Sequence, residues 1–196
     1  EFNPEDMYAD DDMVITISHL GYIKRTPLAD FRQQGRGGIG AKAGAARDED
    51  FIEYVHQANM HSTMMFFTEQ GRLYWTKVYE LPEGNRQSKG RALQNMINIQ
   101  KGDKVCAFIH VKNLSDQEYV QNHYLICATK NGLMKKTTLE SYSRPRTNGI
   151  IALGLREDDR LIRVTLTDGK SQMLVASYNG KVVRFPEDTV RPMGRT

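Results

Sequence analysis

The stretch Leu125-Ile126-Cys127-Ala128-Thr129-Lys130-Asn131-Gly132-Leu133-Met134-Lys135-Lys136 decides how the whole chain is read. A run of strand formers meets Asn-Gly and returns as a second run with a basic end, which is the pattern of a β-hairpin. Asn131-Gly132 predicts a type I′ turn, since both central residues of that turn need positive φ. The pattern recurs three times. Met13-Val14-Ile15-Thr16-Ile17-Ser18 alternates like a half-buried strand and turns at Gly21 into Tyr22-Ile23-Lys24-Arg25-Thr26. Met64-Met65-Phe66-Phe67 turns at Gly71 into Leu73-Tyr74-Trp75-Thr76-Lys77, and Met173-Leu174-Val175-Ala176 turns at Asn179-Gly180 into Lys181-Val182-Val183-Arg184-Phe185.

The turn glycines 21, 71, 132 and 180 stand 50, 61 and 48 residues apart, with the polar insertion Lys112 to Gln121 in the long interval. Each of the first three hairpins is followed by a basic or glycine-rich loop: Gln34 to Gly40, Arg86 to Arg91, and Arg144 to Gly149. Small or apolar runs follow at Ile39 to Ala45, Ala92 to Ile99 and Ile150 to Leu155. Acidic turns ending at Asp50, Asp103 and Asp159 then lead into Phe51 to Val55, Lys104 to Val111 and Arg160 to Leu166. Four strands per unit in tandem units of about 40–50 residues predict the blades of a propeller. The fold class is therefore all-β and propeller-like, with about three and a half four-stranded blades. Unit boundaries fall near 13–59, 60–122, 123–170 and an incomplete 171–196, after an acidic leader at 1–12. A plain β-sandwich is the structural alternative, and the scarcity of helix argues against a parallel sheet with crossover helices.

The 196 residues suffice for one domain or one elongated repeat array. The chain begins without methionine or an apolar signal segment, which suggests a piece of something longer. No run approaches the roughly 20 apolar residues of a membrane span. Cys106 and Cys127 lie in apolar runs without metal-like spacing, as buried thiols in a reducing cytoplasm do. The net charge of +3 conceals a division: residues 1–12 hold six carboxylates and no lysine or arginine, and the remainder sets 27 cations against 18 carboxylates, +9. A basic body suits a polyanionic partner. The leader reads as a disordered, solvated linker.

In Gln34-Gly35-Arg36-Gly37-Gly38-Ile39-Gly40, four glycines surround one guanidinium. Bare main-chain amides beside an arginine fork suit phosphate oxygens. The same letters spell G-x-G-x-x-G, but the dinucleotide reading needs a strand before and a helix after. Pro27 to Gln33 is no buried strand, and Gly44 interrupts the would-be helix. Basic ends recur at Lys24 and Arg25, Lys77, Lys135 and Lys136, and Lys181 and Arg184, beside Arg86, Lys89, Arg91, Arg144 and Arg146 in adjacent loops. Lysines alone would keep edge strands unpaired. Their repetition beside basic loops favours a track for nucleic acid. Trp75, Tyr74, Phe66 and Phe67 could stack on bases, but their place within strands favours core packing. The five histidines show no ligand spacing, and neither a phosphate-binding G-x-x-x-x-G-K-[ST] loop nor a G-x-S-x-G elbow occurs. No catalytic site and no metal site is expected.

With these repeats and this loop, the chain resembles the C-terminal domain of the A subunit of bacterial DNA gyrase. The carriers are Val14 to Arg25 and a box of the form Q-[KR]-R-G-G-[KR]-G. Gln34, Arg36, Gly37, Gly38 and Gly40 fit the box, whereas Gly35 and Ile39 replace usually basic residues and Lys42 lies close enough to compensate in part. The resemblance implies a six-bladed β-pinwheel whose blades exchange strands. It implies duplex DNA as partner, wrapped around a basic perimeter and presented to a cleavage core for ATP-driven negative supercoiling. A further partner would be the rest of the A subunit, with the ATPase subunit reached through it; ATP and magnesium belong to other domains, so no cofactor is expected here. The related topoisomerase IV domain, with a degraded or absent box, and a propeller serving as a protein-interaction scaffold are the alternatives.

Overall fold

The computed structural model describes residues 3–31 and 50–196. The box at Gln34 to Gly40, Lys42 and the run Ile39 to Ala45 lie outside the described residues. The strands are β1 (Asp12–Ser18), β2 (Tyr22–Pro27), β3 (Ile52–Asn59), β4 (Thr63–Thr68), β5 (Arg72–Lys77), β6 (Arg91–Ala92) and β7 (Val105–Val111). They continue as β8 (Tyr124–Thr129), β9 (Met134–Thr138), β10 (Ile150–Ile151), β11 (Leu161–Thr167), β12 (Gln172–Ala176) and β13 (Val182–Pro186). Four antiparallel sheets result, ordered β3-β1-β2-β6, β10-β5-β4-β7, β11-β8-β9 and β12-β13.

Strand exchange is visible in this order. β6 follows the second hairpin but pairs with β2 of the first, Tyr22 opposite Ala92 and Ile23 opposite Arg91. β10 follows the third hairpin but pairs with β5 of the second, Ile150 opposite Leu73. The small-residue runs predicted as full strands supply only these two-residue pairings, because Ala92 leads directly into a 3-10 turn at Leu93–Asn95.

The hairpin turns differ from the type I′ expectation. Thr129 O accepts from Gly132 N at 3.0 Å, and Thr129 N donates to Leu133 O at 2.9 Å, which makes a three-residue loop. Gly132 has φ 85°, whereas no described non-glycine residue has positive φ. One glycine in the left-handed region therefore suffices, as in a type I turn closed by a glycine bulge. This explains why His-Leu-Gly and Glu-Gln-Gly serve as well as Asn-Gly.

The chain divides into two compact units, one of residues 1–64, 75–99 and 110–112, the other of residues 65–74, 100–109 and 113–196. In the first, β1 is buried along Met13 to Ser18, including Thr16. It was expected to be half-buried; as an inner strand of its sheet it is covered on both faces. The leader also departs from expectation. Pro4–Met7 forms a 3-10 turn capped by Asn3, Glu5 pairs with Lys77, and the Tyr8 ring stacks on Tyr79 at 4.7 Å. Its apolar ring and one carboxylate hold it down where composition alone predicted solvation. In the second unit, Phe66 meets Phe108 and Phe67 meets Tyr142 edge to face, all buried. The polar insertion there contains a short helix, α1 (Gln117–Asn122), capped by Asp116.

The exchanged strands require glycine just before them. At Gly90 (φ 82°) a Cβ would stand 2.3 Å from Ile23 O, and at Gly149 (φ 69°) 2.6 Å from Leu73 O. Gly90→Ala is expected to cost more than the ~1–3 kcal/mol of a left-handed alanine, because the Ile23 carbonyl cannot move without breaking β2. Gly102→Ala, with similar φ and nothing within 4 Å, should cost only the backbone strain. Thermal melts of both variants check this, with the larger loss of Tm expected at Gly90.

Candidate nucleic-acid interface

In the first unit, the segment Leu81 to Arg91 is fastened to β2 by three consecutive side chains. Lys24 Nζ donates to the carbonyls of Asn85 (2.9 Å), Arg86 (3.0 Å) and Ser88 (2.8 Å). Arg25 Nε donates to Leu81 O at 2.8 Å, its Nη1 pairs with Glu83 at 2.8 Å, and Thr26 Oγ1 donates to Gly84 O at 2.9 Å. Lys24 and Arg25 are only 2% and 7% exposed. Burial of Lys24 lowers its pKa from the usual lysine value.

These bonds give the loop a sidedness. In a trans peptide the N–H points opposite to the C=O, so the Arg86 and Lys89 amides point away from Lys24. Asn85 Oδ1 accepts from Gln87 N and Ser88 N and tightens the bend. Lys89 and Arg91 are exposed and Arg86 half-buried. Lys89 Nζ lies 3.7 Å from the centre of the Tyr22 ring, and the Arg86 guanidinium lies 5.9 Å from the Phe31 ring. Aromatic faces thus support two of the three loop cations while leaving their hydrogen-bond donors usable.

The recurring strand-end cations therefore separate into two kinds. Lys24, Arg25 and Lys136 were expected on a basic rim and are instead buried. Lys136 Nζ lies 3.2 Å from Glu187 Oε1, which in turn accepts from Thr167 Oγ1 at 2.5 Å, and Glu187 is fully buried. A charge out of water needs such partners, and these residues find theirs in the loop or turn that follows the next hairpin. Lys77 is engaged by Glu5 and by His61 O. Lys135 is half-buried, and Arg144, Arg146, Lys181 and Arg184 are exposed; Arg184 reaches Gln172 at 3.4 Å.

In the second unit, Arg72 Nη2 donates to Asn148 O at 2.9 Å, and buried Tyr142 donates to Ala152 O at 3.0 Å. These bonds set the loop carrying Arg144 and Arg146. The segment after the fourth hairpin docks similarly, with Met193 N donating to Lys136 O at 2.8 Å. Gly84 N donates to Arg25 O in the equivalent way at 3.0 Å. Arg195 thereby occupies the place of Arg86. Sequence reading missed it, although Arg36, Arg86 and Arg195 each stand fifteen residues beyond a turn glycine, Gly21, Gly71 and Gly180.

An aspartate latches each of the first three hairpins. Asp50 Oδ1 accepts from Leu20 N and Phe51 N, Asp103 Oδ1 from Gln70 N and Lys104 N, and Asp159 Oδ1 from Asn131 N and Arg160 N. Desolvation pushes the pKa values of Asp50 and Asp159 up, but the bonds they accept outweigh it and hold both carboxyls below the usual value. The cysteines are free thiols, Cys127 buried and Cys106 half-buried, each pushed by burial up to about 12.

Tandem hairpin modules that exchange short strands and carry basic loops define a propeller-like repeat domain of the β-pinwheel class. A family model described as the DNA gyrase C-terminal domain, beta-propeller, matches residues 12–59, 62–112, 123–168 and 172–196, and the chain belongs to that family. The DNA gyrase A subunit of Haemophilus influenzae is 44% identical over 97% of the chain, and that of Staphylococcus aureus 40% over all of it. The chain spans about a fifth of the length of these relatives, 21% and 22%. A solved C-terminal domain of DNA topoisomerase IV superposes with a TM-score of 0.75 at 27% identity, covering 96% of this chain and 56% of that one. A solved DNA gyrase A C-terminal domain gives 0.72 at 20% identity, covering 94% and 58%.

Two outcomes follow from these contacts. Lys24→Met leaves the Arg86 and Ser88 carbonyls without their donor, at about 1–3 kcal/mol for each group left buried and unpaired, while Asn85 O keeps Ser88 Oγ at 2.9 Å; amide hydrogen exchange across 85–91 should accelerate, whereas Lys101→Met on the exposed surface should change nothing there. For the Asp50 and Asp159 latches the sign is set by the lowered folded pKa. Their stabilisation is complete above the ordinary aspartate pKa and is lost as pH falls through the folded one. Asp159→Asn should flatten the acid side of a urea-midpoint profile between pH 6 and pH 2.

Proposed function

We propose that this domain binds duplex DNA through its phosphate backbone and bends it, as the wrapping module of a gyrase A subunit. The observation that carries the reading is the sidedness of the 85–91 loop. Lys24 is spent inward on carbonyls, and Arg86, Lys89, Arg91 and two amides are left on the outer side. The contacting set is accordingly narrower than the full series of repeated cations. It comprises Arg86, Lys89, Arg91, Lys135, Arg144, Arg146, Lys181 and Arg184, with Gln34, Arg36, Gly37, Gly38, Gly40 and Lys42 of the first copy. Lys24, Arg25, Lys136 and Lys77 serve by shaping these surfaces.

Bending 20–30 bp by 40–90° costs about 1–6 kcal/mol, which many weak phosphate contacts must offset. Affinity should thus depend little on base sequence. Within the intact enzyme, the bent segment would be delivered to a cleavage core, with ATP and magnesium handled by other domains and the ATPase subunit. Gly35 and Ile39 remove two charges from the box and make a topoisomerase IV-like role the second reading; a relaxed-plasmid assay with the intact enzyme separates supercoiling from relaxation alone.

Binding of a mixed-sequence duplex, titrated from 50 to 200 mM salt, tests the loop. Each phosphate contact contributes about 0.9 to the slope of log K against log salt. Arg86→Ala with Lys89→Ala should lower the slope by about 1–2 and weaken different duplexes equally. An unchanged slope would remove this loop from the interface.

A further inference from the structure

A polar cleft of about 320 Å³ in the second unit draws its walls from two successive loops. Ser141, Ser143, Arg144 and Arg146 come from the loop after the third hairpin, and Arg195 from the segment after the fourth. We propose that this cleft is a single phosphate-binding site in which the arginines of both loops hold one phosphodiester of a nucleic-acid backbone. The inference rests on the DNA-binding reading above and adds to it a residue, a place and a stoichiometry.

Three observations support it. Arg195 is not a trailing side chain: its Nη1 donates to Ile151 O at 2.7 Å, and its carbonyl accepts from Gly154 N at 3.3 Å. One side of the guanidinium is thereby fixed while other donors of the fork remain for the cleft. The opposite wall is held as well, since Ser143 Oγ donates to Glu140 O at 2.8 Å and Gly149 closes the loop against Leu73. Finally, Arg195 repeats Arg86 in spacing and in main-chain docking, so a cation at this place is part of the module. Among the described residues, Glu140 is the one carboxylate on the wall; it reduces the net charge and favours an anion that neutralises the surplus over one that carries more.

The stoichiometry makes the claim testable. A salt slope counts phosphates neutralised, not arginines present. If three arginines share one phosphate, their combined removal lowers the slope by about 1; if each meets its own, by about 3. In the full 196-residue chain, Arg195→Ala should weaken duplex binding about 5- to 20-fold, and Arg195→Lys, which keeps the charge but loses the fork, should recover only part. Adding Arg195→Ala to Arg144→Ala/Arg146→Ala should cost much less than the product of the separate losses. Multiplicative losses with a slope change near 3, or no effect of Arg195→Ala, would overturn the shared site.

Inorganic phosphate, titrated against amide shifts of Ser141 and Arg195 at constant ionic strength, separates the two levels of inference. Shifts abolished by Arg195→Ala in a chain that fails to bind DNA would keep the anion site and reject the nucleic-acid reading. DNA binding with no phosphate response and no Arg195 dependence would reject the cleft and keep the reading.

Discussion

A cation removed from water must be surrounded by oxygen, and in this chain the oxygen is supplied by the loop that follows the next hairpin. Lys24 gathers the carbonyls of residues 85, 86 and 88, Arg25 takes Leu81 and Glu83, and Lys136 takes Glu187. None of these partners is local in sequence. The contacts therefore join one repeat to the loop after the next hairpin, and the exchanged strands β6 and β10 continue that joining with backbone bonds. Removing one partner would leave the other buried and uncompensated, which is where buried ion pairs have their largest effect.

The same interaction prepares the surface. Carbonyls drawn inward turn amides outward, and two of the loop cations, Arg86 and Lys89, are held on aromatic faces without using their donors. Binding then requires little ordering of the loop, and the cost of immobilising side chains at the interface is reduced. Structure and function thus divide the basic residues between them. Buried Lys24, Arg25 and Lys136 organise, whereas Lys135, Arg184 and the loop cations are the ones proposed to meet an anion. The exception on β5 is Lys77, which the acidic leader occupies through Glu5.

Much of the fold was legible because hairpins are local. Apolar runs broken by Gly21, Gly71, Gly132 and Gly180 are short-range signals, and their near-regular spacing exposed the repeats. The turn type was misread because Asn-Gly satisfies two geometries, and only φ at Asn131 distinguishes them. The fate of Lys24 could not be read from its neighbours, since its partners lie 61 to 64 residues away. An identical Tyr-Ile-Lys-Arg segment would be a solvated edge if that loop docked elsewhere. Arg195 was legible in principle through its fifteen-residue offset, but the third copy breaks the rule with a shorter loop that carries Arg144 and Arg146. The leader was misjudged because its charge outweighed Tyr8, whose ring finds Tyr79.

The division between organising and contacting residues is tested most directly by photo-crosslinking. A benzoylphenylalanine at Gln87, exposed among the loop cations, should crosslink to a bound duplex whatever its sequence, and one at Thr147 should do the same. The probe at Glu53, on the exposed face of β3, should remain unlinked. Crosslinking at Glu53 with none at Gln87 or Thr147 would place the DNA on another face and contradict the account.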